Sequence, residues 1–215
     1  MAMDGVVKFD YQNKEHVDAI ARLHAELLGE SLIPRLGNKF ITSFYYTRLV
    51  KDNLIRCELY RYKGKYVAFS VCTEFPFTFM KDGIRRNVLY LSLLMFRILL
   101  LNPSRIKVVI ETIRIGKNRQ MRTKENRVSA KIGEILSFGI LSDYGAVRDE
   151  FSGLRVTNLL FERVLDYLKD RQVTHMEGEI KKDNKPSLLL WQSYGGIIMH
   201  DTCSKGDQYL VTVRL

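Results

Sequence analysis

From Lys14 onward the apolar positions Val17, Ile20, Ala21, His24, Leu27 and Leu28 recur at spacings of three and four. That spacing predicts an amphipathic helix halted by Gly29. The same reading predicts a second helix over Leu36 to Lys51, with Phe40, Ile41, Phe44, Tyr45 and Leu49 on one side. Before these helices Val6 to Tyr11 reads as a short strand. After them come two extended runs, Leu54 to Arg61 and Lys65 to Phe75, joined by the tight turn Tyr62-Lys63-Gly64 of a hairpin.

Later in the chain, Lys131 to Leu141 reads as a strand with Ile132, Ile135, Leu136, Phe138, Ile140 and Leu141 as its apolar set. A loop with Asp143, Gly145 and Gly153 leads to a helix over Arg155 to Arg171, buried through Val156, Leu159, Leu160, Val164 and Leu168. Val173 to Ile180 is a further strand. The stretch NKPSLLLWQSYGG, residues 184–196, is a short helix, and residues 196–200 and 208–215 form a closing strand pair. The order is mixed α/β, with one strand-helix-strand crossover over residues 131–180. No internal repeat interrupts it, and 215 residues suit a single domain.

One segment does not fit that order. Val88 to Leu101 is an almost unbroken apolar run of fourteen residues, short of the roughly 20 that a bilayer span requires. Asn102 and Pro103 then cap a second helix ending at Gly116, so residues 76–130 are predicted to be an inserted helical hairpin with a basic tail.

Charge sharpens the picture at that segment alone. The net charge is +10, and residues 81–131 hold thirteen Lys or Arg against three acids, Asp82, Glu111 and Glu125. The insertion therefore carries the basic character. Its bland reading is a solvated face. The functional readings are peripheral contact with an anionic membrane through residues 85–116, or attraction of an anionic substrate such as a nucleotide-linked sugar. Nucleic acid is not expected, because few aromatic residues alternate with the basic ones. The first ten residues hold Asp4 and Asp10 and no apolar run, and the cysteines Cys57, Cys72 and Cys203 are odd in number and widely spaced. A cytoplasmic protein with reduced thiols is expected, with no metal site.

Candidate chemistry gathers around the crossover. A loop leaving a strand and entering a helix offers unpaired amides and the positive end of a dipole, and Ser152 to Asn158 (SGLRVTN) supplies such amides to an anion. If the two strands splay, residues 138–141 and 176–180 border a slot for an extended ligand.

Here the chain resembles the GCN5-related N-acetyltransferase superfamily. The resemblance covers the order of elements outside residues 76–130. The family's Arg-x-x-Gly-x-Gly/Ala loop falls on Ser152, Arg155 and Thr157, with Gly153 kept as a backbone glycine. The family's Glu-hydrophobic-x-x-x-Asn register falls on Glu179, Ile180, Asn184, Ser187, Leu190, Trp191 and Gly195. Residues 22–49 are also similar to members encoded with surface-polysaccharide genes. The resemblance implies a mostly antiparallel sheet with a splayed central strand pair flanked by helices, and acetyl-coenzyme A as co-substrate. It places that co-substrate against Phe138, Ile140, Leu141, Ser152, Gly153, Arg155, Val156, Thr157, Asn158, Asn184 and Ser187. It also implies a small-molecule amine as acceptor, with an amino sugar as one candidate.

In this family a backbone N–H near a strand bulge, here expected at Ile140 or Leu141, steadies the oxyanion, and a tyrosine of the last helix often protonates the departing thiolate. Trp191 occupies that aromatic position, and an indole N–H cannot serve as such a donor. Tyr194 one turn on, water, or a loss of catalysis are the alternatives, the last leaving a non-catalytic acyl-coenzyme A-binding or membrane-docking module. For a base the candidates are Glu134, Glu177 and Glu179 on adjacent strands and Asp143 in the loop. Each has a plainer reading: Trp191 as core, Asp143 as a turn residue, Asn184 as a helix cap, an exposed glutamate as the partner of a lysine.

Overall fold

The structure is a computed structural model that describes residues 4–101, 107–108, 130–199 and 207–215. Apart from Lys107 and Val108, the predicted second hairpin helix lies outside the described residues, as does most of the basic tail.

Seven strands form one sheet in the order β1-β2-β3-β4-β5-β7-β6. They are β1 (Gly5–Lys8), β2 (Arg56–Tyr62), β3 (Lys65–Thr73), β4 (Ile132–Ile140), β5 (His175–Lys181), β6 (Ile197–Met199) and β7 (Gln208–Arg214). All neighbours run antiparallel except β4 and β5. Residues Lys63 (φ 49°) and Gly64 (φ 75°) turn the β2–β3 hairpin through the left-handed region, which matches the strands' twist. This is the mixed α/β, mostly antiparallel sheet that the sequence predicts.

One face of the sheet is covered by α1 (Lys14–Leu28) and by the chain that follows it: α2 (Leu32–Arg35), α3 (Asn38–Phe40), a π-helical stretch (Ile41–Tyr46) and α4 (Arg48–Lys51). The predicted continuous helix over Leu36 to Lys51 is thus broken into pieces. The wider π turn brings Tyr46 inward, where its hydroxyl lies 2.5 Å from Nδ1 of the buried His24, itself stacked on Phe69 of β3. Periodicity counted Tyr45 and missed Tyr46. Two more helices join this face, α5 (Phe79–Arg86), which no apolar periodicity announces, and α6 (Val88–Leu101), which matches the apolar run.

The opposite face packs α7 (Val156–Asp170) through Val156, Leu160, Phe161, Val164, Leu165 and Leu168, and α8 (Lys185–Ser193) through Trp191. Burying a side chain of this size contributes about 1.5–3 kcal/mol, so α7 is fixed firmly by its stripe. It runs antiparallel to β4. Its Leu168 end lies over Gly133, where an added Cβ would stand 2.7 Å from Leu168, and its Val156 end clusters with Val67, Ala68 and Ile140.

Candidate functional site

β4 and β5 are paired over three residues, Ile132–Glu134 with His175–Glu177. Beyond that point β4 continues to Ile140 beside β3, and β5 continues to Lys181 beside β7. The two strands have therefore parted, and the edges they turn toward each other carry no mutual ladder. A wedge opens from Glu134 and Glu177 toward the β4–α7 loop. At its apex the β3–β4 register shifts: Val71 faces Ser137 while Cys72 faces Ile135, leaving Leu136 as the extra residue of a bulge. The bulge expected at Ile140 or Leu141 thus sits at mid-strand, four to five residues earlier. The Leu141 amide is already committed, donating to the Val67 carbonyl at 2.9 Å. Since antiparallel amides alternate in direction, those of Ile140 and Phe138 turn toward the side that β5 has left.

The wide end of the wedge meets the start of α7. Helices α1 and α8 are capped by Asn13 and Asn184, whose side chains accept from the amides of Glu15 and Ser187. No side chain caps α7, and among the described residues the amides of Thr157 and Asn158 have no acceptor. Unpaired amides at a helix start are what an anion cradle would need. Two of the predicted donors are unavailable, because the Ser152 amide donates to Asp149 Oδ2 (2.8 Å) and the Gly153 amide to the Asp149 carbonyl (2.9 Å).

Asp149, which the sequence reading missed, organises this loop. It is buried, and its carboxylate also accepts from the Phe151 amide (3.2 Å), the Ser152 hydroxyl (2.9 Å) and the Tyr60 hydroxyl of β2 (3.0 Å). Burial pulls the carboxyl upward, but these donors outweigh it and hold the group below its ordinary range. Arg148 donates to the Gly153 carbonyl at 2.7 Å and closes the loop from outside.

An aromatic group lines the α7 side of the wedge. Phe161 is its hub, with centroids 6.3 Å from Phe138, 5.3 Å from Trp191 and 4.8 Å from Tyr194. Trp191 is buried against Gly178, where a Cβ would stand 2.5 Å from the indole, so glycine at that strand position is what admits the ring. Tyr194 donates its hydroxyl to Glu162 Oε1 of α7 at 2.9 Å, and burial together with that carboxylate pushes the phenol up to about 12. Asn184 caps α8 as predicted, which commits the Ser187 amide to it at 3.2 Å.

The carboxylates lie across the sheet. Gly133 and Gly178 face α7 and α8, so alternation places Glu134, Glu177 and Glu179 on the face toward α1. Glu134 is buried and sits in register with Glu177 at the apex. Asp143 is exposed in a 3-10 turn (Ser142–Tyr144) past the far end of β4. Six residues of strand, roughly 20 Å, separate it from Glu134, so the two cannot serve one reacting atom. Two surface hollows of about 370 Å³ lie elsewhere, one between α1 and the β2–β3 turn and one around Asp52, Glu74 and Arg171. Neither is lined by wedge residues, and neither joins a strand edge to a helix start. No group of His, Cys, Asp or Glu among the described residues suits a metal ion.

The sequence matches no family model and no curated protein. Solved structures do match. A GNAT-family acetyltransferase from Staphylococcus aureus aligns at TM-score 0.56 and 6% identity, covering 99% of each chain. An acetyltransferase from Streptococcus agalactiae aligns at 0.54 and 10%, covering 98% of this chain and 97% of its own. The PaiA N-acetyltransferase of Thermoplasma acidophilum, solved with coenzyme A, aligns at 0.53 and 7% over the whole of both chains. Identities this low carry the architecture, and the architecture is unambiguous: this chain has the GCN5-related N-acetyltransferase fold.

Proposed function

We propose that the protein is an acetyl-coenzyme A-dependent N-acetyltransferase acting on a primary amine of a small molecule. One observation carries the reading: the parted β4–β5 pair opens directly onto the uncapped start of α7. An elongated ligand with an anionic end has donors for that end in the Thr157 and Asn158 amides. Its amide-bearing middle has the wedge-side amides of Phe138 and Ile140, and its reactive end reaches the bulge at Leu136. Acetyl-coenzyme A has this order of parts, and a neighbour of the same fold was solved with coenzyme A.

In the proposed reaction a neutral amine enters from the α1 face and attacks the thioester carbonyl carbon. The C–N bond forms, and the C–S electrons leave on sulfur. A β4 amide at the Leu136 bulge steadies the oxyanion, replacing the Leu141 amide that Val67 holds. Glu134 takes the proton lost by the amine. Tyr194 is held at about 12, and a thiol near 8.5 is the stronger acid of the two. The phenol therefore steadies the thiolate by a hydrogen bond while water supplies the proton. Glu162 must release the hydroxyl for this to happen.

A second reading, a coenzyme-binding module without turnover, is favoured by Trp191 in the family's donor position and by the engagement of Tyr194 with Glu162. Titration calorimetry with acetyl-coenzyme A tests both, since no binding at millimolar ligand refutes each of them. Thiol release with amino sugars and polyamines then separates them: turnover supports the enzyme, and saturable binding without turnover supports the module. An amino-sugar acceptor is our proposal within the first reading, supported by the similarity of residues 22–49 to polysaccharide-associated members.

A further inference from the structure

Helix α6 is apolar on both sides. Leu91, Leu94, Met95 and Ile98 pack it against the core on the α1 face. Leu89, Leu93, Phe96 and Leu100, at helical spacings of four, three and four, form a stripe on the opposite side with exposures of 80%, 66%, 62% and 65%. A helix that is apolar all round belongs in contact with apolar surroundings on all sides, and this one meets them on one. At fourteen residues it is about 21 Å long, so it can lie along an interface and cannot cross a bilayer. No helix among the described residues is long and apolar enough to cross one.

The charges beside the stripe select its occupant. Arg97 of α6 itself, Lys81 and Arg85 of the preceding α5, and Lys107 are exposed, Asp82 is the acid of α5, and residues 81–131 carry a surplus of ten positive charges in sequence. A second copy seated symmetrically on α6 would bring like charges together. A bilayer surface rich in anionic headgroups supplies both requirements, hydrocarbon for the leucine stripe and negative charge for its basic border. We infer that α6 is a peripheral membrane-docking helix, laid in the headgroup plane of an anionic bilayer with Leu89, Leu93, Phe96 and Leu100 inserted. This goes beyond the acetyl-transfer reading and does not depend on it.

The test is cosedimentation of the full chain with vesicles of phosphatidylcholine alone and of phosphatidylcholine with phosphatidylglycerol. The wild type is expected in the pellet with the anionic vesicles and to return to the supernatant as salt rises. Leu93→Glu/Phe96→Glu and Arg85→Glu/Arg97→Glu should each lower partitioning roughly tenfold or more. The thermal midpoint should hold, because these side chains point outward. Three outcomes overturn the inference: a wild type that stays soluble with both vesicles, variants that pellet like the wild type, or equal binding to neutral vesicles. A dimer in sedimentation velocity that Leu93→Glu/Phe96→Glu dissolves, with no vesicle binding, overturns it in favour of a second copy. Acetyl-coenzyme A calorimetry on the same variants reads the wedge separately.

Discussion

Asp149 offers a sharp test of how the α7 loop is built. Its buried carboxylate accepts four hydrogen bonds, from Phe151 N, Ser152 N, Ser152 Oγ and Tyr60 Oη. Asp149→Asn keeps one oxygen but turns an amide NH2 toward at least one of these donors. A hydrogen bond to a charged group is worth about 1.5–3 kcal/mol, and the bonds share one acceptor group and do not add, so the loss should be about 2–3 kcal/mol. Tyr60→Phe removes a single bond and should cost about 1 kcal/mol. The pair should be coupled, because once the carboxylate is gone the phenol has lost its acceptor. The pH dependence has a definite sign. The folded carboxyl lies below its ordinary value, so its contribution is complete above about pH 4 and disappears as pH falls through the folded pKa. Denaturant unfolding of wild type, both single variants and the double variant, at pH 7 and in steps below pH 4, measures all of this. A cost under about 0.5 kcal/mol for Asp149→Asn, additive with Tyr60→Phe and equal at both pH values, would refute the account.

The remaining predictions concern other parts of the molecule. Burial lowers His24 to about 4, so stability should fall as pH drops from about 6.5 to 4, by about 3 kcal/mol at most, and His24→Gln should flatten that limb of a pH–stability curve. Gly178→Ala puts a methyl group against the Trp191 indole and should cost about 1–3 kcal/mol in denaturant unfolding, whereas a neutral result would mean that the ring can move aside freely. On the acetyltransferase reading, Glu134→Gln should lower kcat about 10²-fold or more at neutral pH and restore some rate at high pH, and an unchanged rate excludes it as the base. Glu162→Gln should lower the Tyr194 phenol below about 12, read by spectroscopic titration, while Tyr194→Phe should slow turnover and leave coenzyme affinity unchanged.

The elements fixed by strong periodicity or clear punctuation were legible in the sequence. α7 falls within one residue of its predicted ends, α6 coincides with the apolar run, and Asn184 caps α8 as expected of an asparagine opening a short helix. The parting of β4 and β5 was legible as an expectation of the resemblance. The bulge is not legible because Ile135 and Leu136 are both apolar, so nothing in their identities marks which of them the register toward β3 skips. The π stretch escaped notice for a related reason: a run of Phe44, Tyr45 and Tyr46 is aromatic at every position, and only the partner on α1 decides which ring turns inward. Asp149 carries no signal in the sequence, because an aspartate in a glycine-containing loop is ordinary and its meaning depends on Tyr60, eighty-nine residues away.

Glycine at 178 and tryptophan at 191 belong to one decision. Where a side chain on β5 would point at α8, its absence leaves room for the largest ring available, and that ring fills the floor of the wedge down to Phe161. A tyrosine in the same place would bury its hydroxyl among Phe161, Met176 and Val211, where it would need an acceptor. The phenol of this helix stands instead one turn later, on Tyr194, at the half-buried edge where Glu162 accepts its hydrogen bond. Replacing Trp191 by tyrosine should therefore destabilise the fold without restoring a proton donor, and a gain of thiol-release activity in Trp191→Tyr would show that position 191 reaches the sulfur after all.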